Sequence, residues 1–404
     1  MMLTGNTISQ VIPFVIAPII SRIFKPEEFA IQANFLAIVG LIGIISAGRY
    51  ELAVVLPKED RKAKMVFLLS IFIIPIISLL SYLLFVFKDE ISNFYHDPVL
   101  PEYMIYVAPA VFFTGLYSLL FNWNIRFRKF NIVSFSRIIQ SLSGNLLYVA
   151  LGYLAWGVKG LIIGWFLGQV LSTLILLIPT LKHWKKDAPI SKTEIKEMAL
   201  LNKDFPMINS LHAFTDIFAT QFFIFWLITN NYGMLALGLF SMMNRYLRAP
   251  IQLVTGAVSQ IYYKEASECA NNQTSSIPII KKTLKICLFF ALPFILVVSI
   301  WGPQLFSWYL GGQWKEAGEY ARIMAPALFV NFIFSPISTT PFIFNKQKLA
   351  FIFSLLGYVL SLGSLIFISY LGYSFNIALW AYSICLTLHS IFVGLWYIYL
   401  AKKK

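Results

Sequence analysis

The apolar segments of this 404-residue chain contain four arginines and two carboxylates, at Arg49, Arg137, Arg245, Arg248, Glu51 and Asp216. A guanidinium group can form two parallel hydrogen bonds to one phosphate or carboxylate. A charge in the middle of a bilayer costs about 2.5–3.5 kcal/mol on insertion scales, so it usually faces a wet cavity or a partner. The excess of arginines over carboxylates favours a cavity that binds an anion.

Polar residues around these charges recur at every third or fourth position, which places them on one face of a helix. Several helices with one polar stripe each predict a shared hydrated cavity. For serine and threonine alone, hydrogen bonding between helices explains the stripes equally well. The stripes are Thr114, Ser118 and Asn122; Ser134, Arg137, Ser141 and Asn145; Asn209, His212, Asp216 and Thr220; and Ser241, Arg245, Arg248, Gln252, Thr255 and Ser259.

The depth of each charge follows from a helical rise of about 1.5 Å per residue. It places Arg245, Arg248 and Asp216 near the middle of their segments. Asp216 then either pairs with Arg245 or carries a coupling proton or ion. Arg49 lies deeper, near the inner end of the cavity, where it could also reach the headgroups. Glu51 lies two residues on, about 200° around a continuous helix, so the two side chains are not expected to share a face.

The elements that position these residues are apolar segments of spanning length. The chain is 58% hydrophobic and 12% charged, against about 25% charged residues in soluble domains. Only helices satisfy their own backbone in lipid over such lengths. We therefore predict an all-α integral membrane protein with about twelve transmembrane helices. The segments lie near 3–23, 29–56, 65–87, 101–124, 131–154, 158–181, 205–228, 233–261, 281–301, 319–343, 348–371 and 375–400.

Basic residues fix the orientation. With the N-terminus inside, 21 lysines and arginines lie in the inner loops and tail and 6 on the outer side. Positive charge concentrates on the cytoplasmic side of membrane proteins, so both termini are predicted to be cytoplasmic. The same rule explains the net charge of +14 without a nucleic-acid partner.

An internal repeat divides the chain. "YVAPAVFFTGLYSLLFNWNIRFRKF" (106–130) aligns without a gap to "IMAPALFVNFIFSPISTTPFIFNKQ" (323–347), and Pro75 aligns to Pro293 at nearly the same offset. Each repeat contains six helices. Because six is an even number, both halves enter the membrane in the same direction. This predicts two six-helix bundles related by a pseudo-twofold axis along the membrane normal. We expect an N-terminal lobe at 1–181, a cytoplasmic linker at 182–204 and a C-terminal lobe at 205–404.

The sequence gives little support to an enzymatic function. The four histidines are scattered, the three cysteines lack metal or redox spacing, and no phosphate-binding glycine loop is present. We expect no catalytic residues, no metal and no cofactor. A polysaccharide polymerase or ligase would need a large outer loop, and the longest outer loop is about "KDEISNFYHDPVLP".

The opening of the chain resembles Wzx-type polysaccharide flippases of the multidrug/oligosaccharidyl-lipid/polysaccharide exporter superfamily. The resemblance rests on "GNTISQVIPFVIAPIISRIFKPEEFAIQANFLAIVGLIGIISAGRYELAVVLPKEDRKA", with a first helix ending in Ser-Arg, a Pro-Glu-Glu-Phe turn and a second helix closing on Arg-Tyr-Glu-Leu-Ala. Members usually carry a short polar or basic arm before the first helix, and this chain begins at "MMLTG".

The resemblance implies translocation of undecaprenyl-pyrophosphate-linked oligosaccharide repeat units across the bacterial inner membrane, for O-antigen or capsule, by alternating access. It implies that Arg49 and Arg245 contact the pyrophosphate or acidic sugars, followed by Arg248 and Arg137. Arg22 either joins them or anchors the helix at the outer interface. Asp216 is the candidate coupling residue, and further polar lining comes from Glu51, His212, Asn209, Asn122 and Gln252. The lipid bilayer, a polysaccharide polymerase and the chain-length machinery are the implied partners.

One alternative is an ion-coupled exporter of small cationic molecules, in the manner of the MATE transporters. Such an exporter should have more acidic than basic cavity residues. Four arginines against two carboxylates in the helix interiors argue against it.

Overall fold

The computed structural model describes residues 2–182, 184 and 190–402, and these residues form helices with no strand among them. Short 3-10 or π-helical turns extend several of the α-helices. The α-helices are α1 (Met2–Ile23), α2 (Pro26–Gly43), α3 (Tyr50–Ala53), α4 (Asp60–Ser81), α5 (Leu83–Val86), α6 (Lys88–Tyr95), α7 (Val107–Arg126), α8 (Phe130–Tyr153), α9 (Gly157–Lys182), α10 (Lys192–Leu201), α11 (Ser210–Ile217), α12 (Ile224–Asn271), α13 (Ile277–Leu310), α14 (Lys315–Phe334), α15 (Thr340–Ile343), α16 (Gln347–Tyr370) and α17 (Phe375–Lys402).

Nine helical stretches within the described residues are long and apolar enough to cross a membrane. One of them, Phe205–Asn271, has 67 residues and covers two predicted segments. The helix breaks between these segments at Gly233, whose φ of 83° favours glycine. α2 and α8 fall on two further predicted segments but are not among the nine. The all-α, multi-pass architecture predicted from hydropathy is confirmed.

Contacts within the chain group it into two compact units, Met1–Asn230 and Asn231–Lys404. The helical stretch 205–230, which the predicted division assigns to the second lobe, is grouped with the first unit. The predicted linker, 182–204, contains α10, and of its residues 183 and 185–189 lie outside the described chain. The lobe boundaries drawn from the repeat stay a prediction.

The same packing order occurs in both units. In the first unit α7 packs against α4 and α9, and α8 packs against α9. In the second unit α14 packs against α13 and α17, and α16 packs against α17. Under the offset of the sequence repeat, these helices correspond one to one. The internal repeat read from the sequence is therefore also a repeat of helix packing.

Small and polar residues hold the helices together, as expected where lipid weakens the hydrophobic driving force. Gln32 of α2 donates to the Tyr148 hydroxyl and to the Leu161 carbonyl, each at 3.1 Å. In the second unit a methyl group on Gly318 would meet the backbone of Gly302. The absence of side chains there lets α13 and α14 approach closely.

Candidate functional site

The second predicted segment is broken just before its charged residues. α2 ends at Gly43, residues 44–49 form a turn, and α3 begins at Tyr50. Gly48 and Arg49 both have positive φ angles, 60° and 59°. For a residue with a side chain this conformation costs about 1–2 kcal/mol. It persists only where the surrounding contacts impose it.

This turn brings together two charges that a continuous helix would keep apart. Arg49 Nη1 lies 3.8 Å from Glu51 Oε1. The expectation that Arg49 and Glu51 do not share a face is therefore wrong, because it assumed one unbroken helix across these positions. The left-handed backbone at Arg49 turns its side chain toward the carboxylate.

The Arg49–Glu51 pair leaves polar atoms of both side chains without a hydrogen-bond partner in the described chain. Glu51 is 3% exposed, whereas the Arg49 side chain is 19% exposed. Within the described residues, neither Arg49 Nε nor Glu51 Oε2 has a hydrogen-bond partner. The contact at 3.8 Å is longer than a hydrogen bond, and Arg49 Nε is buried, so only the exposed part of the side chain can reach another group. This partly open guanidinium can bind a further anion.

The other two predicted arginines of the first unit are engaged with protein groups. Arg137 Nη1 donates to Asn6 Oδ1, and the guanidinium lies 4.6 Å from the centre of the Phe121 ring. Arg22 is exposed and donates to the Pro18 carbonyl of its own helix at 2.6 Å. Arg137 is thus fixed between α1, α7 and α8, while Arg22 remains at the surface.

Asn122, the predicted polar position of the fourth segment, is half-buried. Its Nδ2 donates to the Ser118 carbonyl one turn earlier in α7, at 2.9 Å. The amide nitrogen is therefore directed back to its own helix.

The polar stripe of the seventh segment lies on a helix of mixed type. α11 is flanked by π-helical turns at Phe205–Asn209 and Phe218–Phe223. Asn209, His212 and Asp216 are exposed. π-helical turns are rare and often occur at functional sites. The predicted stripe is therefore accessible on this helix.

The eighth segment exposes its cationic stripe. Arg245, Arg248 and Gln252 are exposed on α12, while the intervening Tyr246 and Leu247 are buried. A charged side chain that faced lipid would be costly, so we expect this face of α12 to adjoin water, a charged ligand or a protein partner. Of the other predicted members of this stripe, Ser241 and Ser259 are half-buried and Thr255 is buried. A hydrated stripe along the whole segment stays a prediction.

The predicted site residues fall in both units. The single shared cavity and the Asp216–Arg245 pair would each join residues of different units, so they stay predictions. The first unit contains Arg22, Arg49, Glu51, Asn122, Arg137, Asn209, His212 and Asp216, and the second contains Arg245, Arg248 and Gln252.

Two long-range hydrogen bonds near the predicted site residues could not be predicted from the sequence. Asn6 accepts the hydrogen bond from Arg137, 131 positions away. The Tyr50 hydroxyl donates to the Ala199 carbonyl at 3.2 Å, 149 positions away. No local spacing could have revealed contacts over such distances in the chain.

As for metals, the described part of the chain contains no cluster of three or more His, Cys, Asp or Glu suited to an ion.

The fold is shared with solved membrane transporters, two of which belong to the multidrug/oligosaccharidyl-lipid/polysaccharide exporter (MOP) superfamily. The chain is similar over its whole length to an inward-closed lipid II flippase MurJ, with a TM-score of 0.74, 15% identity and 87% of that chain covered. It is similar to an inward-facing multidrug resistance MATE transporter, with a TM-score of 0.70, 14% identity and 96% covered. A superfamily transporter from Pyrococcus furiosus gives a TM-score of 0.64 at 13% identity, with 95% of that chain covered.

Comparison of the sequence with known protein families identifies the family of this chain. Residues 19–319 match the polysaccharide biosynthesis protein family, so the chain belongs to that family. No curated protein matches the sequence. The predicted resemblance to Wzx-type flippases of this superfamily is thereby confirmed, and the matched range includes every predicted site residue from Arg22 to Gln252.

Proposed function

We propose that this protein flips an undecaprenyl-pyrophosphate-linked oligosaccharide from the cytoplasmic to the outer leaflet by alternating access. The observation that carries the proposal is the exposed cationic stripe of Arg245 and Arg248 on a spanning helix. An anion that must cross a membrane needs such groups, because they replace its hydration shell. Membership of the polysaccharide biosynthesis family supports a sugar-containing cargo.

Arg49 and Arg245 are the proposed contacts for the pyrophosphate or for acidic sugars. The Arg49 side chain is 19% exposed, and a guanidinium suits the two-pronged geometry of phosphate oxygens. Arg248 and Arg137 are the next candidates for contact with the cargo, although Arg137 already contacts Asn6 and Phe121. Arg22 either assists or anchors α1 at the outer interface. The polyprenyl tail stays in lipid while the headgroup crosses.

Transport of this kind requires an energy source, and Asp216 is the proposed coupling residue. It is exposed on the polar stripe of the seventh segment, where a proton or an ion can reach it. Glu51, His212, Asn209, Asn122 and Gln252 complete the proposed lining. The setting we propose is the bacterial inner membrane with both termini cytoplasmic, in O-antigen or capsule synthesis beside a polymerase and chain-length machinery.

The test is deletion of the gene in its native host, followed by assay of surface polysaccharide and of undecaprenyl-linked repeat units. We expect surface glycan to disappear and the lipid-linked units to accumulate on the cytoplasmic side. Wild type should restore the glycan, whereas Arg49→Ala and Arg245→Ala should fail to do so at equal expression. Arg128→Ala, which removes an exposed arginine outside the spanning segments, is the matched control and should complement.

A small-molecule exporter is the alternative, and the similarity to MATE transporters favours it on fold alone. Unchanged glycan in the deletion strain, together with new sensitivity to small cationic compounds, would replace the flippase proposal with this one. The excess of arginines on the exposed faces argues for the anionic cargo.

A further inference from the structure

Tyr50 ties the turn that carries Arg49 to the linker helix α10. Tyr50 is 8% exposed, and its hydroxyl donates to the Ala199 carbonyl at 3.2 Å. Ala199 lies in the last turn of α10, where carbonyls have no partner within the helix. The hydroxyl therefore satisfies a helix-terminal acceptor and joins two distant parts of the first unit.

The linker helix is itself a fixed support. Its N-terminus is capped reciprocally: Glu194 N donates to Ser191 Oγ at 3.2 Å, and Ser191 N donates to Glu194 Oε2 at 2.8 Å. Arg61 Nη2 then binds both oxygens of Glu194, at 2.9 and 3.2 Å. Met198 of the same helix is 7% exposed and lies in the hydrophobic cluster that contains Tyr50. α10 is thus held to the first unit at both ends.

The left-handed turn depends on its neighbours. Ala47 and Ala53, on either side of it, are 2% and 0% exposed. The Tyr50 ring lies against the turn, since a side chain on Gly48 would meet Tyr50 Cδ2 at 3.2 Å. A strained conformation relaxes when such contacts are lost. Residue 49 would then return to the helical conformation, in which Arg49 and Glu51 lie about 200° apart.

We propose that Tyr50 is a positioning residue for substrate binding: docked on α10, it holds Arg49 in the conformation that presents its guanidinium to the pyrophosphate. This inference rests on the proposed function, in which Arg49 contacts that group. α3 also packs against the π-helical turn Phe205–Asn209 at the base of the seventh segment. The segment that carries Arg49 and Tyr50 thus contacts both the linker helix and the base of the seventh segment.

The experiment measures binding of inorganic pyrophosphate to the purified full chain by titration calorimetry. A neutral hydrogen bond contributes about 0.5–1.5 kcal/mol, so Tyr50→Phe should weaken binding about 2- to 12-fold. Tyr148→Phe is the matched control, because Tyr148 is 3% exposed in the same unit and its hydroxyl also has a hydrogen-bond partner, Gln32. This control should leave pyrophosphate affinity unchanged.

The double variant separates positioning from general stability. If Tyr50 acts through Arg49, Tyr50→Phe has no further effect once Arg49 is alanine. An equal loss in both backgrounds, or no loss in the wild-type background, overturns the inference. A different result would contradict the proposed role of Arg49 in substrate binding: Arg49→Ala would bind pyrophosphate as tightly as wild type. The inference about Tyr50 depends on that role and would then fail as well.

Discussion

Arg49, the last residue of the turn after α2, lies 3.8 Å from Glu51 of α3, with Glu51 buried and the Arg49 side chain 19% exposed. The carboxylate and an incoming phosphate group would both seek the same guanidinium. Under the proposed function, the 3.8 Å separation would make Glu51 a weak competitor for Arg49.

Glu51→Gln should tighten pyrophosphate binding. The amide has nearly the same shape as the carboxylate but does not compete electrostatically for Arg49. At 3.8 Å the contact is at the long limit of an ion pair. Taking about 0.2–1 kcal/mol, the contribution of a weak pair, affinity should rise about 1.4- to 5-fold. Calorimetric titration with pyrophosphate measures it, and the same change in an Arg49→Ala background should have no effect. Weaker binding by Glu51→Gln would instead mean that Glu51 orients the guanidinium.

Arg126 should be a main determinant of stability in the first unit. Its side chain is 9% exposed, its guanidinium donates to the Val54 and Pro57 carbonyls, and it pairs with Asp60 at 2.8 Å. Arg126→Met leaves these acceptors without their donor. Since an unsatisfied buried group costs about 1–3 kcal/mol, the thermal midpoint in detergent should fall clearly.

Lys62→Met is the control for Arg126. Lys62 pairs with Glu59 at a similar distance, 2.7 Å, but the two side chains are 49% and 63% exposed. Exposed pairs contribute about 0–1 kcal/mol, so the midpoint should barely move. Equal effects of the two changes would show that burial does not govern these ion pairs.

The sequence was sufficient for the features that depend on composition and local spacing. Hydropathy predicted the all-helical membrane class. The three-and-four spacing placed Arg245, Arg248 and Gln252 on one face, where all three are exposed, but it also placed there Thr255, which is buried. The break at 44–49 escaped prediction because Arg49, which is not glycine, adopts a positive φ. The residue beside it, Tyr50, makes a hydrogen bond to Ala199, 149 positions away, and no local pattern encodes that contact.

Docking of the linker helix should weaken in acid. Hydrogen bonds from the Ser191 backbone N–H and from Arg61 lower the pKa of Glu194 below its usual value of 4.5. A carboxyl group whose pKa is lowered by folding stabilises the fold above its unfolded pKa, and this stabilisation is lost as pH falls through the lowered pKa. Hydrogen exchange across 192–201, corrected for the intrinsic rate, should rise as pH falls from about 5 to about 3. Glu194→Gln should abolish this acid-dependent rise, and a rise that persists would assign it to another group.

Close approach of α13 and α14 predicts a sharp contrast between two glycines. A Cβ at Gly318 would meet the backbone of Gly302 and Pro303, which cannot move aside as a flexible side chain could. Overpacking of this kind costs about 1–3 kcal/mol, so Gly318→Ala should lower the thermal midpoint. Gly363 lies within α16 and has nothing within 4 Å of its Cβ position. There, Gly363→Ala should stabilise by up to about 1 kcal/mol, because alanine favours the helix. A neutral Gly318→Ala would mean that the two helices can separate without loss, and that their packing does not limit the stability of the second unit.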